Sequence, residues 1–350
     1  LADGDLIQDL QRQILSLQQQ IDELAAKSCD SCGTDVEWKG AAKIKGDDRD
    51  FKVRGRLMVD YASVDGDSDP LSGHEYVDNA IEARRARLGV EGKLQDNTKY
   101  KFEVSYDPVD GAIDVEDAYI QWGTAWGDIA LGQQKVPVSL EEQTSSRYIT
   151  FMERAAFTDA FGLQRQVGAT IAHNADNFTI KAGIFGANLS DEEIDEGYTV
   201  AARGTFSPSI GNSDALLHLG ASIAHSTFED TGLKTYRVRP LVHQEDRYIS
   251  TGGYAEEELF YGVEGAAVFG PFSVQGEWAR VDADAPGGGS SEFDGWYIDA
   301  SWFITGESRK YKKGAFSRVS PANPVDEGGM GAWQIAARYD VVDLSDLGAA

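Results

Sequence analysis

Apolar and polar residues alternate along most of the chain after Asp50. In the first such segment one face carries Phe51, Val53, Leu57, Val59 and Tyr61, and the opposite face carries Lys52, Arg54, Arg56 and Asp60. A period of two predicts a β-strand with one apolar face. Similar alternation recurs through residues 98–107, 271–281 and 292–305, so the fold is predicted to be all-β.

Turn signals divide this region into thirteen predicted strands. They are 51–62, 81–94, 98–107, 113–122, 126–134, 165–174, 177–186, 197–206, 214–225, 258–269, 271–281, 292–305 and 332–342. Very short turns alternate with long connections, as in outer-membrane barrels. Such a barrel has an even number of strands, and no closing strand follows 332–342. We therefore expect a transmembrane antiparallel β-barrel of sixteen strands, of which three lie beyond this sequence.

A large soluble β-sandwich would also show this alternation. Aromatic residues near the predicted strand ends favour the membrane barrel, because Trp and Tyr collect at both membrane interfaces. These residues are Tyr61, Trp122, Trp126, Phe269, Trp278, Trp302 and Tyr339.

The segment 135–161 interrupts the alternation and is too long for a tight turn. Loops of this length between strands are usually functional or disordered. Tyr148, Phe151, Phe157 and Phe161 argue against disorder. We expect this segment to fold into the lumen of the barrel and to narrow it.

Two other irregular regions follow. Residues 227–257 are interpreted as one external loop whose middle, 235–241, turns inward; an additional strand at Tyr236–Leu241 is the alternative. Residues 305–331 follow a descending strand and are therefore expected on the periplasmic side, folded towards the lumen.

The first 28 residues have a helical period. Ile7, Leu10, Ile14, Leu17, Ile21 and Leu24 recur at spacings of three and four. This seam predicts a coiled-coil helix, with an amphipathic helix lying on its own domain as the alternative. Residues 29–50 are interpreted as a linker and 51–350 as the barrel. In the linker, Cys29 and Cys32 form a single CxxC pair, for which a structural or incidental role is favoured over metal binding.

Composition excludes several functions. The formal net charge of −26 argues against nucleic acid or anionic membrane surfaces as partners. No segment approaches the roughly 18 apolar residues of a transmembrane helix. The sequence contains no GxSxG, HExxH or P-loop motif. We expect no enzymatic activity, cofactor or metal; a barrel hydrolase with a Ser/His/Asp site is the enzymatic alternative.

Five stretches carry a more specific signal: EARRARLGVEGKL (82–94), VEDAYIQW (115–122), LGQQKVPVSLEEQTSSRYITFMERAAFTDAF (131–161), YGVEGAAVFGPFSVQGEWARV (261–281) and TGESRKYKKGAFSRV (305–319). Together they resemble the phosphate-selective porin O and P family. The resemblance implies a homotrimer of sixteen-stranded outer-membrane barrels. It also implies a third loop folded into the pore, which arginines and lysines line.

An anion that crosses a narrow pore loses part of its water shell, and fixed cations must replace that water. By alternation, five arginines face the lumen: Arg54, Arg56, Arg85, Arg87 and Arg203. On the lipid side near the midplane each would cost roughly 2–4 kcal/mol. Arg84 falls on the apolar face and is expected near the external strand end, where this cost is about 0–1 kcal/mol.

The loops supply the remaining candidates. The segment 135–161 contributes Lys135, Arg147 and Arg154. The resemblance implies that Arg237 and Arg239 lie in the pore and that Lys312, Lys313 and Arg318 form a periplasmic basic cluster.

Acidic residues in the predicted pore leave open which solute the channel prefers. Glu141 and Glu142 stand where a phosphate-selective pore would be expected to carry more lysine. Arg147 and Arg154 either bind anions or pair with these glutamates or with Glu153. The acidic stretches 65–69 and 190–196 are interpreted as a solvated external rim, with loose binding of divalent cations as the alternative.

We therefore predict an outer-membrane porin of a Gram-negative bacterium whose N-terminal helix lies in the periplasm. The predicted activity is passive diffusion of small hydrophilic solutes, with a preference for anions such as phosphate. A general or weakly cation-selective porin is one alternative. A structural tether, whose coiled coil binds the cell wall or another envelope partner, is a second. The other expected partners are identical subunits and outer-membrane lipid and lipopolysaccharide.

Overall fold

A computed structural model describes residues 35–38, 41–64, 79–95, 97–107, 111–190, 197–208, 210, 215–228 and 232–347, together with Ser16 and Gln19. Apart from Ser16 and Gln19, the predicted coiled coil lies outside these residues. Cys29, Cys32 and the acidic stretch 65–69 also lie outside them, as does 190–196 except Ser190; these predictions stay predictions. No helix in the described part combines the length and the apolar character needed to cross a membrane.

The described residues form nineteen strands and two short α-helices, with one 3₁₀ turn at Val325–Glu327. The strands are β1 Asp35–Trp38, β2 Ala42–Lys45, β3 Asp50–Ala62, β4 Ala80–Gln95, β5 Thr98–Tyr106, β6 Ile113–Thr124, β7 Gly127–Lys135, β8 Arg165–Asn174, β9 Phe178–Phe185, β10 Thr199–Phe206, β11 Leu216–Thr227, β12 Lys234–Val238, β13 Ile249–Ala255, β14 Glu257–Phe269, β15 Phe272–Ala285, β16 Gly289–Phe303, β17 Lys310–Lys312, β18 Ala315–Ser317 and β19 Gln334–Asp343. The helices are α1 Leu140–Gln143 and α2 Ala156–Ala160.

Fifteen of these strands form one antiparallel sheet in the order β1 to β11, β14, β15, β16 and β19. Each of the thirteen predicted strands overlaps one strand of this sheet. The short strands β1 and β2 were not predicted, so the linker interpretation is wrong for the stretches they occupy. Four residues are too few to display a period. Within the described residues β1 and β19 remain unpaired edges, and closure by sixteen strands stays a prediction.

Two hairpins stand apart from the main sheet: β12 pairs with β13, and β17 pairs with β18. The region 227–257, interpreted as one loop, therefore contains a hairpin. Its strand β12, which includes Tyr236, is not part of the main sheet. Tyr236 is fully buried and its ring lies 4.9 Å from that of Phe293 in β16.

The outward face of the main sheet is apolar and exposed. Leu57 is 71% exposed, Ile81 74% and Tyr339 64%, and Leu88, Ile184 and Ile298 are also exposed. Large exposed apolar surfaces of this extent are rare on water-soluble proteins. A hydrocarbon environment stabilises such a surface on alternating strand positions.

The inward face of the sheet rolls around residues 136–164, called the long loop below. Glu153 of this loop connects β4 with the edge strand β19. Its carboxylate accepts a hydrogen bond from Arg84 Nε in β4 at 2.5 Å, and its carbonyl accepts one from Arg338 Nη1 in β19 at 3.1 Å. Strands that are far apart in the sheet order therefore meet at one loop residue.

An apolar seal attaches the long loop to one side of the roll. Phe157 and Phe161 are fully buried, and the ring of Phe161 lies 6.4 Å from Tyr236 and 6.3 Å from Phe260. The inward positions of β15 change from polar to apolar beside the loop, where Val281 and Ala283 are fully buried. We call this cluster the apolar seal.

The packing between neighbouring strands of the main sheet can be tested at Gly132 in β7. Its φ is 122°, and a Cβ there would lie 2.1 Å from the carbonyl oxygen of Ala118. Gly132→Ala should lower the unfolding free energy by about 1–3 kcal/mol, because both the backbone and the neighbouring strand must shift. Gly204→Ala in β10 is the matched control, because no atom lies within 4 Å of its added Cβ. Equal midpoints for the two variants in thermal unfolding would contradict this packing.

Candidate functional site

A cavity of about 550 Å³ lies between strands β3 to β9 and the tip of the long loop. Among the described residues, its lining contains eleven Lys or Arg side chains and only two carboxylates, Asp117 and Asp128. The basic residues are Arg54, Arg56, Arg84, Arg85, Arg87, Lys101, Lys135, Arg147, Arg154, Arg165 and Lys181. The structure thus brings seven of the thirteen predicted site residues into one cavity.

A bulge in β4 places two adjacent arginines on the inward face. Met58 pairs with Arg85 and Asp60 pairs with Glu82, so β4 has one more residue than β3 across this interval. A bulge interrupts alternation and re-aims a side chain. Arg84 consequently lines the cavity beside Arg85, and its expected position on the lipid side is wrong. Ile81 and Leu88 both lie on the outward face although they are seven positions apart, which strict alternation does not allow. This change in apolar phase is a sequence signal for the bulge.

A second bulge, in β6, adds an inward carboxylate. Glu103 pairs with Asp117 whereas Val104 pairs with Val115, which leaves Glu116 as the extra residue. Glu116 and Asp117 are both buried on the inward side. Neither carboxylate was among the predicted site residues.

These carboxylates pair with arginines of the wall. Arg165 Nη1 lies 2.7 Å from Glu116 Oε2, and its Nε lies 3.0 Å from Asp117 Oδ1. Glu103 lies 3.1 Å from Arg56 Nη2 and 3.8 Å from Arg87 Nη1. Such contacts fix the guanidinium groups on the wall and cancel part of their charge.

Two cavity cations have no ion pair within the described residues. Among the described residues no carboxylate lies within 4.0 Å of Arg147; this exposed side chain lies over the Tyr148 ring, with its Cζ 5.2 Å from the ring centroid. Lys181 Nζ donates to Gln134 Oε1 at 3.1 Å. Lys181 in β9, Arg165 in β8 and Lys101 in β5 were not among the predicted site residues, although Lys101 lies between the apolar Tyr100 and Phe102 in an alternating segment.

Arg154 and Lys135 hold the long loop together. Arg154 Nε lies 3.2 Å from Glu142 Oε2 and donates to the carbonyl of Glu141 at 3.0 Å. Lys135 Nζ lies 3.2 Å from Glu142 Oε1. Burial opposes ionisation of Glu142, but Arg154 and Lys135 keep its pKa below the usual value. Arg154 and Arg147 therefore differ: the first is paired and the second is not.

A second cavity of about 150 Å³ adjoins the first and shares Arg84, Arg85 and Arg154 with it. Arg239 lines this space, where its backbone N–H donates to Asp159 at 3.3 Å. His243 reaches from the same segment to Glu82 in β4, with 2.9 Å between Nδ1 and Oε2. Residues 239–243 thus extend across the inside of the roll to β4.

Five predicted site residues do not line either cavity. Arg203 is buried in the wall, where its Nε lies 3.0 Å from Glu264 Oε1. The others are exposed side chains: Arg237, Lys312, Lys313 and Arg318. Lys312 belongs to the β17–β18 hairpin, which packs inside the sheet through Tyr311, whose hydroxyl lies 2.6 Å from His218 Nδ1. The predicted inward folding of 305–331 agrees with this contact.

An antiparallel sheet with an apolar exposed outer face, rolled around an inserted loop and a polar cavity, is the architecture of the outer-membrane porin class. The model of the family "Phosphate-selective porin O and P" matches residues 51–349. The chain belongs to this family.

Similar proteins include an uncharacterised protein of Caulobacter vibrioides, 35% identical over 91% of this chain and 66% of that protein. Porin O of Pseudomonas aeruginosa is 27% identical over 89% of this chain and 77% of its own length. The chain therefore spans just under two thirds of the first relative. Among solved structures, the anion-selective porin of Comamonas acidovorans is 14% identical with a TM-score of 0.49, over 83% of this chain and 79% of its own.

The difference between Arg147 and Arg154 can be measured. Arg147→Gln should lower the permeability to chloride relative to potassium and leave loop stability unchanged, because no carboxylate of the described residues pairs with this side chain. Arg154→Gln leaves buried Glu142 with one partner fewer and should destabilise the loop by about 1–3 kcal/mol. Limited proteolysis of the loop and reversal potentials across a KCl gradient separate the two effects. Identical behaviour of both variants would contradict the assignment.

Proposed function

We propose that this protein is an outer-membrane diffusion channel that prefers small anions, and that the long loop forms its constriction. The observation that carries the proposal is the basic lining of the cavity beside that loop, with eleven cations and two carboxylates in the described part. Fixed guanidinium and ammonium groups replace the water that an anion loses in a narrow passage.

The charge around the cavity is positive, whereas the net charge of the whole chain is negative. Five glutamates pair with cavity cations: Glu91, Glu103, Glu116, Glu142 and Glu153. The eleven cavity cations therefore outnumber the two lining carboxylates and these five glutamates by four. The net charge of −26 acts mainly through exposed groups, whose fields are screened beyond about 8 Å at physiological salt.

Phosphate and similar oxyanions are the proposed solutes. A guanidinium group binds two oxygens of such an anion at once. The paired arginines Arg54, Arg56 and Arg87 would hold an anion weakly, because each already has a carboxylate neighbour. Weak binding at several sites allows passage, whereas one tight site would stop it.

The row of wall carboxylates supports one alternative, a general or weakly cation-selective porin. Glu103, Glu116 and Asp117 would attract cations if the paired arginines contributed little to the potential. The remaining proposals follow the family: location in the outer membrane of a Gram-negative bacterium, contact with its lipid and lipopolysaccharide, and assembly as a homotrimer. A periplasmic helix with an envelope partner is proposed from the coiled-coil sequence pattern alone.

Reversal potentials in planar lipid bilayers test the selectivity. In a KCl gradient, chloride should be favoured over potassium, and added phosphate should reduce the chloride current. Lys181→Gln should lower the anion preference, because it removes an unpaired cavity cation. Lys313→Gln is the matched control, since this exposed lysine lines neither described cavity. A preference of the unmodified channel for potassium would contradict the proposal.

A further inference from the structure

Glu277 connects the barrel wall to the long loop through directed hydrogen bonds. Its Oε2 accepts the backbone N–H of Leu140 at 2.8 Å, and its Oε1 accepts that of Glu141 at 2.8 Å. The hydroxyl of Tyr297 donates to Oε1 at 2.8 Å and orients the carboxylate. Glu277 lies in β15 and is buried.

Asp340 makes the equivalent contact at the other end of the loop. Its Oδ2 accepts the backbone N–H of Ala156 at 2.9 Å. Ala155, the residue before α2, has no side chain that could accept a hydrogen bond from the first N–H groups of this helix. The loop carboxylate Glu141 accepts the N–H of Ala155 at 2.7 Å, and Arg338 of β19 approaches Glu141 at 3.4 Å. Burial raises the pKa of Glu141 to about 7.

These contacts differ in kind from the apolar seal. Apolar burial favours contact but does not select one orientation, whereas a hydrogen bond weakens steeply away from its preferred angle. Only three residues separate Glu141 from Ser145, which lines the cavity with Ser146, Arg147 and Tyr148. A shift of the amides on Glu277 would therefore move the loop edge that borders the passage.

We propose that Glu277 and Asp340 are positioning residues that fix the width of the channel by holding the long loop at both ends. The proposal rests on the proposed function of the long loop as the constriction. In this proposal the two wall carboxylates determine the width of the channel, and the cavity cations determine which ions it prefers.

Conservative amide substitutions test this assignment. In Glu277→Gln one oxygen can accept only part of the three hydrogen bonds, and the new NH₂ group faces a backbone N–H. Amide hydrogen exchange at Leu140 and Glu141 should become about ten- to a hundredfold faster, as expected when buried N–H groups lose their acceptors. Asp340→Asn should accelerate exchange at Ala156. Asp299→Asn is the matched control, because no hydrogen bond from the long loop reaches this buried carboxylate within the described residues.

Single-channel recordings provide the second readout. Glu277→Gln and Asp340→Asn should each broaden the conductance distribution and admit larger neutral polymers, while Asp299→Asn retains the original polymer cut-off. Unchanged conductance and cut-off in both variants would overturn the inference, whether or not exchange becomes faster. An unmodified protein without current would instead contradict the proposed function, which keeps the two failures distinct. If Glu277→Gln does not fold, Asp340→Asn still decides the question.

Discussion

The apolar seal between the long loop and strands β14 to β16 is the contact on which the interior arrangement depends. A loop placed inside a rolled sheet is stable there only if burial compensates for its lost conformational freedom. Phe157 and Phe161 are fully buried, and side chains of this size contribute about 1.5–3 kcal/mol each when removed from water. The seal fills one side of the interior and leaves the basic cavity on the side of β3 to β9.

This division explains how an acidic protein contains a basic passage. Where the inward faces meet the loop they carry alanine, valine and aromatic residues, and where they border the cavity they carry charged residues. Carboxylates such as Glu103 lie behind the arginines and hold them in place. The same groups lower the local positive potential, which agrees with the weak anion binding that we propose.

Alternation predicted the strands because the outward face must be apolar at every second position. It did not predict the two bulges, because one additional residue moves its neighbours to the other face, and in β4 this is visible in the sequence only as the change in apolar phase between Ile81 and Leu88. Arg84 and Glu116 were misplaced or missed for this reason. Of the β12–β13 hairpin only β12 was considered, as the alternative strand at Tyr236–Leu241, because the hairpin packs on the long loop and on β16, contacts between segments far apart in sequence. Lys181 shows that alternation identifies an inward face but does not show which inward cations lack a carboxylate partner among the described residues.

Thiol accessibility measures the division of the interior most directly. With Cys29 and Cys32 changed to Ser, a single cysteine is introduced either at Gln121, which lines the cavity, or at Ala283, which is fully buried in the seal. A charged, membrane-impermeant thiol reagent should reduce the current through the Gln121→Cys channel and leave the Ala283→Cys channel unchanged. Rapid modification and block at position 283, with no effect at position 121, would contradict a passage confined to the basic side.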